Sequence, residues 1–268
     1  MPDFTELKQK HRAAWASGDY SQIARGIQTV ADHVVRSARI RPGERVLDIA
    51  CGTGNTTLMA RARGAAVTGL DLTPELLAVA HERAAMEGFT DITWKAGDAE
   101  DLPFPDGTFD VVVSSCGLMF APDQQQVANE VARVTKRGGR IAIQAWTRDS
   151  GVGRMFKVLG AHVPPPPGVP SPFEWGDENK VKGFFGSSFR DYQFERYDCP
   201  EFADTPDQVA DLYIDRYGPT HRAYNSLSAE KAAALRKDLT DLYRGYITPG
   251  DGKVRWGREY IITLATRA

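Results

Sequence analysis

Several features that define other protein classes are missing from this chain. No stretch approaches the roughly 18 consecutive apolar residues needed to cross a bilayer, so membrane insertion is not expected. The N-terminal Met-Pro-Asp-Phe-Thr-Glu-Leu-Lys lacks the basic-then-apolar order of a signal peptide. Cysteine is scarce: Cys51, Cys116 and Cys199 are odd in number and widely spaced, which argues against a disulfide framework. No Cys-x-x-Cys pair or other ligand cluster has metal spacing, so no metal is expected. A reducing cytoplasm is the natural compartment. Charge of one sign is also lacking. The formal net charge is −2 and no basic run is interleaved with aromatics, so nothing points to a nucleic-acid partner. No internal repeat is present.

What remains is an ordinary globular composition. The 268 residues are 42% hydrophobic and 25% charged, enough for one large α/β domain or one domain with a modest cap. Phe4 to Arg39 reads as helical, with Ile23, Ile27, Val30, Val34 and Val35 at helical spacing and a break at Gly18-Asp19. Strands are expected at Arg45–Ala50, Ala65–Leu70, Asp91–Ala96, Phe109–Ser114 and Arg140–Ala145. Helices should lie between them: one from Asn55, one capped by Thr73 with Pro74 at its first position, and one ending at Gly138-Gly139. This alternation has the length of βαβ crossovers, which predicts a parallel, doubly wound, Rossmann-like sheet. After Ser150 the pattern changes. Val163-Pro-Pro-Pro-Pro-Gly168 is a rigid loop, Tyr192–Tyr197 and Glu259–Thr266 look like further strands, and Thr205 to Arg244 reads as a helical insertion. The expected organisation is a helical segment over 1–40 closing on the ligand, a binding core over 41–150, and sheet completion with a cap (about 205–244) over 151–268.

The strongest signal is Val46-Leu-Asp-Ile-Ala-Cys-Gly-Thr-Gly54, a strand that ends in a glycine turn opening a helix. Glycine lets backbone approach a ligand closely, and the helix N-terminus offers free N–H groups. A dinucleotide fingerprint requires a third glycine in register, but Asn55, Thr56 and Thr57 follow instead. Asp48, inside the strand end, is a poor neighbour for a pyrophosphate and a good one for an ammonium. S-adenosyl-L-methionine has an amino-acid tail, a ribose and an adenine, and no phosphate. Asp71, closing the second strand, can accept both ribose hydroxyls as a charged acceptor. Leu72 would lie against the adenine. Asp98 can accept from the adenine amine, and the Ala99 N–H can donate to a ring nitrogen.

With these motifs in this order, the chain resembles the class I S-adenosylmethionine-dependent methyltransferases, especially the ubiquinone/menaquinone C-methyltransferase-like subgroup. Ala50 matches that subgroup, which often has alanine where most members have the first motif glycine. The likeness runs from about Arg41 to Trp146. Position by position it implies cofactor contacts from Asp48, Gly52, Thr53, Gly54, Asp71, Leu72, Asp98, Ala99 and Ser115. Ser115 is placed by matching Phe109-Asp-Val-Val-Val-Ser-Ser-Cys-Gly-Leu118 to the family's fourth strand and loop. The resemblance also implies a seven-stranded sheet with an antiparallel last strand, for which Glu259–Thr266 is the candidate, and S-adenosyl-L-homocysteine as product.

The implied chemistry is in-line methyl transfer to a small-molecule acceptor, partly apolar by the proline loop and neutral balance. A donor activated by its own charge needs little beyond alignment and exclusion of water. Catalytic residues are left unassigned. If the acceptor must lose a proton, a base from the cap or from the Cys116–Phe120 loop is expected, and His221 competes for that role with a purely structural one. Trp15 and Tyr20 either close over the sulfonium by cation–π attraction or simply pack the N-terminal segment. Trp146, just past the fifth strand, either lines the acceptor pocket or does the same packing. Cys51 and Cys116 read as packed thiols. A nicotinamide-dependent oxidoreductase and a non-catalytic S-adenosylmethionine-binding module are the competing readings.

Overall fold

The computed structural model describes residues 4–268; Met1–Asp3, part of the expected N-terminal segment, lie outside the described residues. That segment forms α1 (Thr5–Trp15), α2 (Tyr20–Arg25) and α3 (Gln28–Ser37). The break at Gly18-Asp19 has a steric cause. Gly18 has φ +73°, and a Cβ there would sit 2.7 Å from the Arg216 carbonyl oxygen. Asp19 then caps α2 by accepting from the Ser21 N–H at 3.2 Å. A second break, at Gly26-Ile27, was not anticipated. The apolar face carries across it, since Ile23, Ile27, Val30 and Val34 are all buried, so periodicity gave no sign of the interruption.

The core follows as β1 (Arg45–Ile49), α4 (Asn55–Ala62), β2 (Ala66–Asp71), α5 (Pro74–Met86), β3 (Thr93–Ala96), β4 (Phe109–Ser115), α6 (Gln124–Val134) and β5 (Thr135–Trp146). Then come α7 (Gly151–His162), α8 (Glu178–Phe185), β6 (Phe189–Asp198), β7 (Glu201–Ala203), α9 (Pro206–Arg216), α10 (Gly218–Asn225), α11 (Ala229–Arg244), β8 (Val254–Trp256) and β9 (Glu259–Arg267). The main sheet has seven strands in the order β3-β2-β1-β4-β5-β9-β6. Its first five strands are parallel, and β9 runs antiparallel to both β5 and β6. The fold is thus the mostly parallel, doubly wound sheet with an antiparallel last strand.

Some boundaries differ from the sequence expectation. The helix before β5 ends at Val134, not at Gly138-Gly139, and those glycines lie inside the strand. There the ladder with β4 shifts register between Phe109 and Val111. Gly138 takes φ +73°, so the pair serves a bulge and not a helix stop. Thr73 occupies the cap position of α5, but its side chain makes no cap bond. Its N–H donates instead to Asp71 Oδ1 at 2.8 Å.

The order of strands reverses between β1 and β4, and a crevice opens there at the carboxyl ends of the strands. Two helical layers cover it: α1 and α2 line its mouth, and α9 to α11, with the small two-stranded β7-β8 sheet, pack against them. The second layer has its own core, in which Tyr213 and Tyr243 meet Trp256 edge-on with ring centroids 5.0 Å apart in each pair. The layers touch closely at one glycine: a Cβ on Gly218 would lie 2.1 Å from the Ala14 carbonyl oxygen.

Candidate functional site

The crevice is a hollow partly open to solvent. Most of the residues singled out from the sequence meet there: Gly52, Thr53, Asp71, Leu72, Asp98, Ala99 and Ser115 all line it. Asp71 ends β2 and is 6% exposed. Its Oδ2 accepts the Gly52 N–H at 2.7 Å and its Oδ1 accepts the Thr73 N–H. Burial raises its pKa, against the opposing pull of those backbone donors and of the Thr73 side chain. Asp98 stands on the loop after β3, with Oδ1 accepting the Glu100 N–H at 2.9 Å. Ser115 ends β4 and shares a 2.7 Å hydrogen bond with Thr56 at the start of α4.

Two of the expected residues are elsewhere. Gly54 does not line the hollow; it is the left-handed N-cap of α4 (φ +88°), pressed against Ala80 and Trp94. Asp48 is completely buried beneath the glycine turn and also does not line the hollow. The Thr57 hydroxyl donates to its Oδ2 at 2.6 Å, and its Oδ1 has no partner among the described residues. Burial pushes its carboxyl up to about 7; the Thr57 bond opposes that shift and the charge of Asp71 adds to it. The three carboxylates therefore do not share one rim: two face the hollow and one is sealed under its floor.

The turn itself is strained at a residue that is not glycine. Ala50 has φ +55° and Cys116, opposite it on the next strand end, has φ +59°. Gly117 makes room for Ala50: a Cβ there would meet the Ala50 Cβ at 2.5 Å. Arg83 of α5 holds the turn from outside, donating to the Thr53 carbonyl at 2.6 Å and to Asn55 Oδ1 at 2.9 Å.

The N-terminal helices cover the hollow. Lys8, His11 and Trp15 fall on one face of α1, and all three line it together with Tyr20 of α2. Lys8 Nζ donates to Asp98 Oδ2 at 2.7 Å and also pairs with Glu100. Burial lowers the pKa of His11, keeping its imidazole neutral. Trp15 meets Tyr20, Phe120 and Tyr217 edge-on. Lys8 and His11 went unnoticed in the sequence, although their helical spacing from Trp15 was a usable signal.

Beyond Trp15, Tyr20, Ile27 and Cys116 lies a second, narrow cavity that shares those four side chains with the hollow as a common wall. Its other walls include Trp146, Met155, Tyr213, Tyr217 and Arg258. The phenols of Tyr20, Tyr213 and Tyr217 are all raised by burial. The buried Cys116 thiol is raised too, and it donates to Gln144 Oε1 at 3.1 Å. Cys51 is likewise a buried thiol raised by burial. His221 lines neither cavity. Its Nδ1 is 3.0 Å from the Ile214 carbonyl and its Nε2 is 3.1 Å from Asn225, so both ring nitrogens are engaged within the cap. Among the described residues no group of three His, Cys, Asp or Glu side chains could hold a metal, and no helix is long and apolar enough to cross a membrane.

A family profile described as a methyltransferase domain matches residues 47–143, which spans β1 to most of β5. The whole chain is similar to the uncharacterized protein Rv1403c of Mycobacterium tuberculosis, 39% identical, with 96% of this chain and 94% of that protein covered. It is also similar to the demethylmenaquinone methyltransferase of Anoxybacillus flavithermus, 29% identical, with 67% and 71% covered. Among solved structures it resembles the YcgJ protein of Bacillus subtilis at a TM-score of 0.62, with 20% identity, 88% of this chain and 97% of that one covered.

Proposed function

The chain belongs to the class I S-adenosylmethionine-dependent methyltransferase superfamily, and from that premise we propose that it methylates a small, partly apolar acceptor held in the inner cavity. The observation that carries this reading is the common wall of Trp15, Tyr20, Ile27 and Cys116, which puts a narrow, aromatic-lined space directly beside the cofactor hollow.

The residues around the hollow fit the cofactor. Asp71 faces the hollow as an acceptor for the ribose hydroxyls, while its backbone bonds hold the carboxylate in place. Gly52 and Thr53 suit the amino-acid tail, with Ser115 beside them. Leu72 offers an apolar face to the adenine, and Asp98 with the Ala99 N–H offers an acceptor and a donor to its polar edge. Gly54 and Asp48 act from behind: Gly54 sets the turn and Asp48 braces Thr57 under it. In the same reading, residues 4–40 close the site, 41–150 hold the cofactor, and 151–268 complete the sheet and carry the cap.

When bound, S-adenosylmethionine supplies a methyl group already activated by a sulfonium charge. The protein then has to orient and to exclude water. Trp15 and Tyr20 line the hollow, where aromatic rings can stabilise a cation, and form its wall with the inner cavity. No histidine or carboxylate lines the inner cavity among the described residues, so the walls align the acceptor's lone pair and a proton displaced by methylation passes to water after transfer.

The test has two parts. Titration calorimetry should detect S-adenosylhomocysteine binding that Asp71→Ala weakens. Release of S-adenosylhomocysteine is then followed across a panel of neutral, acidic and basic small molecules, where turnover should concentrate among neutral, partly apolar ones. Turnover confined to highly charged acceptors or to macromolecules would overturn the proposal.

A further inference from the structure

Arg258 is a full positive charge on the wall of the inner cavity, yet it has nothing left to offer a ligand. Its side chain is 1% exposed. Its Nε donates to the Cys199 carbonyl at 2.7 Å, Nη1 to Tyr213 Oη at 3.0 Å, and Nη2 to the Gly26 carbonyl at 3.1 Å and to Cys199 Sγ at 3.5 Å. Nη1 also pairs with Glu201 at 2.8 Å. A guanidinium has five N–H groups, and these contacts use them all. Burial works against the charge, but Tyr213, Glu201 and Cys199 outweigh it and Arg258 stays protonated.

Tyr213 is different. Its oxygen accepts from Arg258, but among the described residues no group accepts its own proton. Burial pushes this phenol up to about 12 even with the guanidinium opposing, so it is a neutral donor. A hydroxyl that already accepts from a cation is polarised into a stronger donor. Tyr20 and Tyr217, on the same wall, are also un-ionised and have no hydrogen-bond partner among the described residues.

We infer that Tyr213 is the hydrogen-bond anchor for the acceptor, that the acceptor is an uncharged molecule presenting an oxygen or nitrogen lone pair to it, and that the Arg258–Glu201 pair excludes acceptors with a carboxylate or phosphate. This rests on the reading of the inner cavity as the acceptor site. A charged ligand entering would lose its hydration and find no free counter-charge. A neutral one finds aromatic walls and one preset donor.

The cavity is narrow and its walls must part to admit even one ring, so small single-ring probes test this: phenol, benzoate, benzylammonium and toluene, measured by ligand-observed NMR on protein saturated with S-adenosylhomocysteine. Wild-type protein should bind phenol about tenfold more tightly than benzoate or benzylammonium. Tyr213→Phe should weaken phenol about fivefold while leaving toluene and S-adenosylhomocysteine within about twofold. Glu201→Gln, which keeps an acceptor for Nη1 but leaves the Arg258 charge without its counter-charge, should narrow the gap between benzoate and phenol. Equal binding of benzoate and phenol to the wild type would overturn the inference, and that comparison requires no variant to fold. So would an unchanged phenol affinity in Tyr213→Phe, or an equal loss of phenol and toluene, which would mark Tyr213 as structural only. Probes that fail to bind a protein that still takes S-adenosylhomocysteine would sink the acceptor site and spare the cofactor reading. Failure to bind S-adenosylhomocysteine would remove the cofactor reading itself.

Discussion

Lys8 of α1 reaches across the mouth of the hollow to Asp98, Nζ to Oδ2 at 2.7 Å, and joins two parts of the chain that are 90 residues apart in sequence. The helix that carries Lys8 buries none of its residues. It is held by this pair, by Glu100, by the more exposed Arg12–Glu75 contact at 3.6 Å and by the ring of Trp15. An element with so few buried contacts opens at low free-energy cost, which a cover over a bound cofactor must do.

Lys8→Met should therefore speed cofactor release. The pair is about a quarter exposed on both sides, so solvent screening limits its worth to about 0.5–1 kcal/mol, or roughly twofold to fivefold in rate. Stopped-flow release of S-adenosylhomocysteine should show the effect at low salt and less of it at high salt. A release rate indifferent to both would rule out the latch.

Asp71→Ala should weaken cofactor binding by about 1.5–3 kcal/mol, because a charged acceptor is lost. It also frees the Gly52 N–H from its 2.7 Å bond, so the melting temperature should fall as well. Asp71→Asn retains one acceptor oxygen and should sit between wild type and alanine. Calorimetry placing all three at the same affinity would dismiss the ribose role.

Asp48 gives a pH signature. Its carboxyl holds its proton to about 7 in the fold, against 3.8 ordinarily. Between those values the folded chain binds more protons than the unfolded one, so this group's contribution to stability falls as pH rises and levels off above about 7. Asp48→Asn should cancel that slope, raising the melting temperature by several degrees near about pH 8 and hardly at all near about pH 4. A gain of the same size at both would show that Asp48 does not titrate as described.

At the seam between the two covering layers, Gly218→Ala places a Cβ 2.1 Å from the Ala14 carbonyl oxygen. Backbone must shift, at about 1–3 kcal/mol, and α1 is the less anchored side. Cofactor affinity should drop while the far-ultraviolet spectrum of the core is retained. Unchanged affinity would mean that the seam does not transmit to the site.

His221→Ala should leave turnover within about twofold and lower stability by about 1 kcal/mol, the worth of a lost hydrogen bond. Its ring nitrogens are engaged with Ile214 and Asn225, away from both cavities. A large fall in kcat with an altered pH profile would restore it as a base.

The alternation of strands and helices, the glycine turn after β1 and the acids that close β2 and follow β3 were readable from the sequence alone. Each is a local signal: hydrophobic period, turn chemistry, and a register that parallel strands impose on their own carboxyl ends. The sequence thereby determined the sheet, the place of the hollow and seven of the residues on its wall. Whether Asp48 faces a ligand or lies sealed with an unpaired oxygen depends on the direction in which a strand residue points once α4 packs on the sheet. The Lys8–Asp98 latch, the exhausted donors of Arg258 and the free proton of Tyr213 arise from elements distant in sequence, and no periodicity records them. Those the tertiary structure alone decided, because a hydrogen bond or an ion pair depends on where atoms meet in space, and the distance between residues along the chain does not set that.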